Sequence, residues 1–213
     1  MISKKAVLLI SLIIALFLGG IAFWTVLSKT PSYSPITPLT KKKAVIIIFS
    51  NYNPIEYSVT RETLEKNEVS TYTITVNEET GLGTLITQVD PTVLASEYDA
   101  LIIIGGPGVY ERVIGRTSEP RMPLVINLIK TFHSKNKTIA AICAAPAILS
   151  KAGILYGKKA TVFPSRDLID ILLKGGAQYT GEAVTVDGNI ITANGPNAAS
   201  SFAETIVTVL RSA

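Results

Sequence analysis

The sequence contains very little cysteine and histidine, with one residue of each in 213. A single cysteine excludes an internal disulfide, and one histidine beside it leaves no cluster with the spacing of a metal site. Acidic residues are absent from residues 1–43, which hold six of the 20 lysines and arginines. The net charge of +4 therefore comes from this flank, because residues 44–213 carry 14 basic and 16 acidic residues, or about −2. Such a distribution argues against a nucleic-acid partner.

A long apolar run lies near the start of the chain. Residues 6–27, AVLLISLIIALFLGGIAFWTVL, contain no charged side chain. A helix of this length, rising about 1.5 Å per residue, crosses a hydrocarbon core of roughly 30 Å. A cleaved signal peptide is the alternative, but its apolar region is usually only about 7 to 15 residues long. We therefore expect one transmembrane helix, with the membrane as a partner through this segment.

The composition changes twice after that run. Residues 30–40, TPSYSPITPLT, contain three prolines and no apolar periodicity, which is typical of an extended spacer. The expected organisation is an anchor at 1–29, a linker at 30–42 and a globular domain at 43–213. Lysines flank the apolar run on both sides, so charge sets the orientation only weakly. We expect a single-pass membrane protein with its soluble domain on the extracytoplasmic side.

The globular part alternates short apolar segments with amphipathic ones, which predicts strands followed by helices. The predicted strands are KAVIIIF (43–49), VSTYTITV (69–76), GTLITQVD (83–90), YDALIIIGGPG (98–108), TIAAIC (138–143) and KATVFP (159–164), with a hairpin in AVTVDGNIITA (183–193). The predicted helices are 54–68, 123–137, 144–153, 168–176 and 198–212. This alternation indicates an α/β fold, a three-layer sandwich with a mainly parallel sheet.

Ligands of such folds bind beyond the carboxyl ends of the strands. Three turns are expected there, at 50–55, 105–108 and 143–145. The third contains Cys143, between a buried strand and a helix, which is the elbow position that presents a nucleophile. An inert thiol in the hydrophobic core is the alternative interpretation.

The elbow interpretation predicts a reactive thiol with defined neighbours. A helix N-terminus favours thiolate, so we expect a lowered pKa for Cys143. The backbone amides of Gly106 and Ala144 are candidates for an oxyanion hole, and Gly105 is expected to line the pocket. Glu56, early in the first helix, is the acid placed to reach the same crevice.

Three segments, YDALIIIGGPG, TIAAICAAPAILSKAGILYGKKATVFP and DGNIITANGP with SFAETIVTVL, resemble the DJ-1/PfpI (ThiJ/PfpI, class I glutamine amidotransferase-like) superfamily. The resemblance extends from Lys43 to the C-terminus. It implies a flavodoxin-like sandwich, often dimeric, so a homodimer is one expected assembly. It also implies a reactive cysteine at Cys143 and a hydrogen-bonding glutamate at Glu56. Members of the family include cysteine peptidases, glyoxalases that convert methylglyoxal to lactate without a cofactor, proposed deglycases, chaperones and oxidative-stress sensors.

Two positions depart from the family's pattern. Phe163 stands where many members place a histidine near the thiol, and Ala144 stands where peptidase-like members carry one. The only histidine, His133, is expected on the polar end of a helix, in contact with solvent. Because no Cys–His dyad is available within the chain, proteolysis and amide transfer are not expected.

Three hypotheses about function remain. In the first, a cysteine-dependent enzyme acts on small reactive carbonyls without a cofactor: Cys143 adds to an aldehyde and Glu56 exchanges the proton. In the second, a redox or stress sensor reacts with an oxidant, and Glu56 hydrogen-bonds the Cys143 sulfinate. In the third, a non-catalytic binding or scaffold domain is displayed at the membrane. Phe163 is expected to be an apolar pocket wall where a proton carrier would stand. This weakens the enzyme hypothesis and leaves the other two unaffected.

Overall fold

A seven-stranded sheet forms the centre of the structure, a computed structural model that describes residues 41–212. Its strands are β1 (Lys43–Ile48), β2 (Ser70–Thr75), β3 (Thr84–Leu85), β4 (Ala100–Ile103), β5 (Thr138–Ile142), β8 (Val184–Asp187) and β9 (Ile190–Ala193). They lie in the order β3-β2-β1-β4-β5-β9-β8. All neighbours are parallel except β8 and β9, which form the predicted antiparallel hairpin. A separate parallel pair joins β6 (Lys159–Ala160) to β7 (Gln178–Tyr179).

The three central strands, β1, β4 and β5, are apolar after the first residue of β1 and of β5, because helices cover both faces of the sheet. In β1, every residue from Ala44 to Ile48 is completely buried, and so is every residue of β4. In β5, Ile139 to Ile142 are also completely buried. A side chain on either face of these strands therefore contributes to the core.

Seven α-helices are present in residues 41–212: α1 (Pro54–Lys66), α2 (Pro91–Glu97), α3 (Pro107–Val113), α4 (Met122–Ser134), α5 (Pro146–Lys151), α6 (Arg166–Lys174) and α7 (Ala199–Ser212). Helices α1 and α7 pack together, as do α2 and α4. Local sequence explains where several begin: Asn53 and Asp90 cap α1 and α2 with their side chains, and a proline follows each cap.

The order of the central strands, β2-β1-β4-β5-β9, is that of a flavodoxin-like sheet. The chain reverses its direction of growth across the sheet between β1 and β4, which opens a crevice at their carboxyl ends. The predicted α/β sandwich with a mainly parallel sheet is confirmed for the described part of the chain.

Several elements differ from the sequence-based expectation. The strand expected at 83–90 pairs only through Thr84–Leu85 and continues as a 3₁₀ turn at Ile86–Gln88. The strand expected at 159–164 pairs only through Lys159–Ala160 and lies outside the main sheet. Helices α2 and α3 were not predicted, because seven residues are too few to show a helical period.

Between residues 41 and 212, no helix is both long and apolar enough to span a bilayer. The expected anchor at 6–27, and residues 30–40 of the expected linker, lie outside the described residues.

Candidate active site

Loops from three strands meet at the carboxyl edge of the sheet, as predicted. The loop after β1 is bonded to the loop after β4 and to the helix that follows it: the Asn53 amide donates to the Gly105 carbonyl at 3.0 Å, and the Gly108 amide, in the first turn of α3, donates to the Asn51 carbonyl at 2.9 Å. The third loop, which contains Cys143, lies against Gly105. The crevice therefore has fixed walls made of backbone.

Cys143 occupies the elbow between β5 and α5. Its φ angle of 63° lies in the left-handed region, which a non-glycine residue adopts only when its surroundings hold it there. Two backbone bonds supply that constraint: its amide donates to the Ala193 carbonyl at 2.9 Å, and its carbonyl accepts from the Phe163 amide at 2.8 Å. The residue is 9% exposed, so the thiol is almost enclosed.

Glu56 lies in the first turn of α1 and is completely buried. The Asn53 side chain, which accepts from the Ile55 and Glu56 amides, fixes this turn. Oε2 of Glu56 accepts from the Gly105 amide at 3.2 Å. Within residues 41–212, Oε1 has no partner in good hydrogen-bond geometry, although the carboxyl and the Cys143 thiol interact and shift each other's pKa. The structure therefore brings the two predicted acids together.

The carboxyl group of Glu56 is hard to ionise. Burial raises its pKa from 4.5 to about 7, and the hydrogen bonds with Cys143 and Gly105 oppose that shift only in part. Glu56 therefore exchanges a proton near neutral pH, which is the range that a general acid or base needs.

The expectation of a lowered pKa for the Cys143 thiol is wrong, because its pKa is raised. Burial, followed by the negative charge of Glu56, raises its pKa to about 12, and the Gly106 and Ala144 amides lower it by less. Helix α5 begins only at Pro146, so its first turn lies beyond the elbow. At neutral pH the thiol and the carboxyl form a coupled pair that holds at least one proton.

The two consecutive glycines have separate roles. The Gly105 amide is bonded to Glu56, and a Cβ at Gly105, which was expected to line the pocket, would lie 2.6 Å from the Cβ of Cys143. Gly106 has φ 122°, a conformation that side chains rarely adopt, and its amide interacts with the Cys143 sulfur. The amides near the sulfur are thus those of Gly106 and Ala144, the two residues expected as oxyanion donors.

Phe163 borders the site and is 41% exposed. Its amide is bonded to Cys143, and its ring lies beside Gly195, where an added Cβ would be 3.3 Å from the ring. His133 is exposed near the end of α4, just before β5 begins, and so lies at the opposite edge of the sheet from Cys143. The described residues thus contain no Cys–His dyad at the elbow.

One buried charged pair near the site was missed. Nε of Arg112, in α3, lies 2.8 Å from Oε2 of Glu119, and the two side chains are only 10% and 4% exposed. No sequence pattern predicts this pair, because Arg112 lies in α3 and Glu119 lies beyond its end. The spacing rules for ion pairs within one helix therefore do not apply. Among the described residues, no group of three or more histidine, cysteine, aspartate or glutamate side chains could hold a metal ion.

The chain belongs to the DJ-1/PfpI family, whose model matches residues 42–209. It is 45% identical over 106 residues to an uncharacterized protein of Methanocaldococcus jannaschii, covering 50% of this chain and 49% of that protein. It is 34% identical over 111 residues to protein dj-1beta of Drosophila melanogaster, covering 52% and 55%. A deglycase of Pyrococcus horikoshii is 34% identical over 100 residues, covering 47% and 55%. In these alignments the chain spans about half the length of each relative.

Solved structures support the same assignment. A ThiJ/PfpI domain protein of Brachyspira murdochii is 26% identical with a TM-score of 0.67, covering 80% of this chain and 97% of that one. Drosophila melanogaster DJ-1beta is 28% identical with a TM-score of 0.64, covering 80% and 90%.

Proposed function

We propose that the domain is a cofactor-independent enzyme that acts on small 2-oxoaldehydes through Cys143. The observation that carries the proposal is the buried Glu56 carboxyl, which interacts with the elbow thiol and has one oxygen without a well-placed partner within residues 41–212. Relatives named deglycase, in Pyrococcus horikoshii and Pyrococcus abyssi, are consistent with chemistry at carbonyl groups.

In the first step, the Cys143 sulfur attacks the aldehyde carbon while the thiol proton passes to the Glu56 carboxylate. The proton transfer is needed because the thiol does not ionise alone at neutral pH. The carbonyl oxygen becomes an alkoxide, which the Gly106 and Ala144 amides stabilise and which then takes the proton from Glu56. The product of this step is a hemithioacetal, and Glu56 is again a carboxylate.

In the second step, Glu56 removes the hydrogen on the former aldehyde carbon as a proton, which leaves an enediolate with its negative charge on the oxygen of the neighbouring carbon. Glu56 then returns this proton to the neighbouring carbon, and the hydroxyl proton of the former aldehyde carbon passes to the neighbouring oxygen, again by way of Glu56. The first carbon is oxidised and the second is reduced, so no external redox partner is needed. The resulting thioester of a 2-hydroxy acid reacts with water, which releases the acid and restores the thiol. Phe163 supplies no proton at any stage, so Glu56 carries all of the transfers.

The test compares the purified full-length chain with Cys143→Ser and Glu56→Gln, using methylglyoxal as substrate and 2-hydroxy acid as the measured product. Loss of the proton carrier should lower turnover by about 10² to 10⁴-fold, and loss of the thiol should abolish it. Glu62→Gln is the matched control, since Glu62 lies on the same helix and is exposed. Unchanged turnover in Cys143→Ser would reject the enzyme proposal.

A second function, peroxide sensing, is favoured by the same two amides. Reaction of the thiol with one peroxide gives a sulfenic acid and water, and a second peroxide gives a sulfinic acid. The Gly106 and Ala144 amides and a protonated Glu56 are hydrogen-bond donors suited to sulfinate oxygens. A similar solved structure, of Toxoplasma gondii DJ-1, is described as oxidized. Mass spectrometry after peroxide treatment tests this: a stable gain of two oxygen atoms supports sensing, and progression to three contradicts it.

We also propose that residues 6–27 anchor the chain in a membrane, that residues 30–42 act as a spacer, and that the domain lies on the extracytoplasmic side. The uncharged apolar length of the first segment supports the anchor, and the three prolines of the second support the spacer.

A further inference from the structure

A buried polar network lies behind the two loops that hold the active-site acids. Arg112 is its centre and uses three nitrogens: Nε donates to Glu119 at 2.8 Å, Nη1 to the Gly108 carbonyl at 2.9 Å, and Nη2 to Oγ of Ser50 at 2.7 Å. Asn77 completes the network, since its Nδ2 donates to Glu119 at 2.8 Å and its Oδ1 accepts from the Ser50 amide at 3.0 Å. We call Arg112, Glu119, Asn77 and Ser50 the arginine clamp.

The clamp joins elements that are distant in sequence. Ser50 follows β1 and Asn77 follows β2, whereas Arg112 and Gly108 both belong to α3, which begins directly after the loop that follows β4. A guanidinium group carries its donors in a rigid plane, so it holds several acceptors at fixed positions, which a lysine ammonium does not. Because Arg112 and Glu119 are almost completely buried, separating them would leave an unpaired charge in the interior, which costs a large free energy.

Both clamped loops lead directly to the acids. The loop after β1 contains Asn53, whose side chain caps the turn that holds Glu56. The loop after β4 presents the Gly105 amide to Glu56 and the Gly106 amide to the sulfur. Arg112 donates to the carbonyl of Gly108, which lies four residues earlier in the same helix and two residues beyond Gly106. Gly108 also approaches the Ser50 carbonyl too closely to accept a side chain.

We propose that Arg112 is a positioning residue, which sets the register between these two loops and so places the Gly106 amide and Glu56 around the Cys143 sulfur. This inference rests on the proposed function of the site as a reactive thiol. A displacement of about 1 Å in such groups can cost about 10²-fold in rate. Arg112 does not itself touch the sulfur, and its charge is not among the causes of the shifted thiol pKa.

The test measures two rates in the full-length chain: turnover of methylglyoxal, and alkylation of Cys143 by iodoacetamide between pH 6 and 10. Arg112→Lys keeps the charge but loses the planar fork, and Glu119→Gln removes the ion pair with little change of shape. Arg116→Lys is the matched control, because Arg116 pairs with Glu111 on the surface and is 63% exposed. Circular dichroism establishes that each variant is folded at the assay temperature.

We expect both clamp variants to alkylate about tenfold more slowly than wild type at pH 8, and to lose about 10 to 10²-fold in kcat with little change in KM. The control should match wild type. A merely structural role predicts the opposite, because loosening the fold exposes the enclosed thiol and speeds its alkylation. Faster or unchanged alkylation in a folded clamp variant would therefore overturn the proposal. If Arg112→Lys does not fold, Glu119→Gln decides by the same criteria.

The test of the arginine clamp can fail independently of the test of the proposed enzyme activity. Wild type without turnover on any 2-oxoaldehyde would reject the enzyme, yet the alkylation rates would still show whether the clamp positions the thiol's partners. Turnover that survives unchanged in both folded clamp variants would reject the positioning role and leave the enzyme intact.

Discussion

Glu56→Gln should change how stability depends on pH. Because burial raises the pKa of Glu56 from 4.5 to about 7, the folded protein resists ionisation of a group that ionises freely when unfolded. The resulting stabilisation is fully present below pH 4.5 and is lost as pH rises through about 7. A shift of this size corresponds to about 3 kcal/mol in the free energy of unfolding. Cys143 contributes little in this range, since its pKa rises from 9.0 to about 12 on folding and both values lie above pH 8.

The assay is urea denaturation of the full-length chain at intervals from pH 4.5 to 8. Wild type should lose about 3 kcal/mol more stability across this range than Glu56→Gln, whose neutral amide does not titrate. Glu62→Gln should follow wild type, because this side chain on the same helix is exposed to solvent. Parallel curves for wild type and Glu56→Gln would show that the carboxyl is not desolvated in the folded protein. They would also contradict a coupled Glu56–Cys143 pair.

Three further predictions concern the pocket and the anchor. Phe163→His places a titratable ring beside the elbow, so alkylation of Cys143 at pH 7 should accelerate severalfold; an unchanged rate, with Phe163→Leu as control, would mean that the ring does not reach the thiol. Gly105→Ala forces a Cβ to within 2.6 Å of the Cys143 Cβ, so turnover should fall by about 10²-fold and stability by about 1 to 3 kcal/mol, measured by kinetics and urea denaturation. Full-length chain should remain in the membrane pellet after alkaline carbonate washing, and its release into the supernatant would contradict an uncleaved anchor at 6–27.

Local pattern was enough to predict the architecture of the domain. The continuous apolar segments of β1, β4 and β5 indicated buried parallel strands, because only strands covered on both faces lack alternation. The Asp187-Gly188 pair, which is typical of a two-residue hairpin turn, indicated the β8–β9 hairpin. Pattern failed for short elements: the segment at 159–164 is rich in β-forming residues, yet only its first two residues, Lys159 and Ala160, pair, and their partner is β7 and not the central sheet.

The sequence by itself also determined that a lone cysteine lies at a strand-to-helix elbow and that a glutamate begins the first crossover helix. Only the tertiary structure decided how they behave. The bond from Gly105 to Glu56 spans 49 positions, and the arginine clamp joins Arg112 to Ser50 across 62. The pKa of Cys143 rises, against the sequence-based expectation, because enclosure by surrounding segments and the charge of Glu56 outweigh the amides of Gly106 and Ala144. Desolvation depends on everything that surrounds a group, and that is settled only when the whole chain has packed.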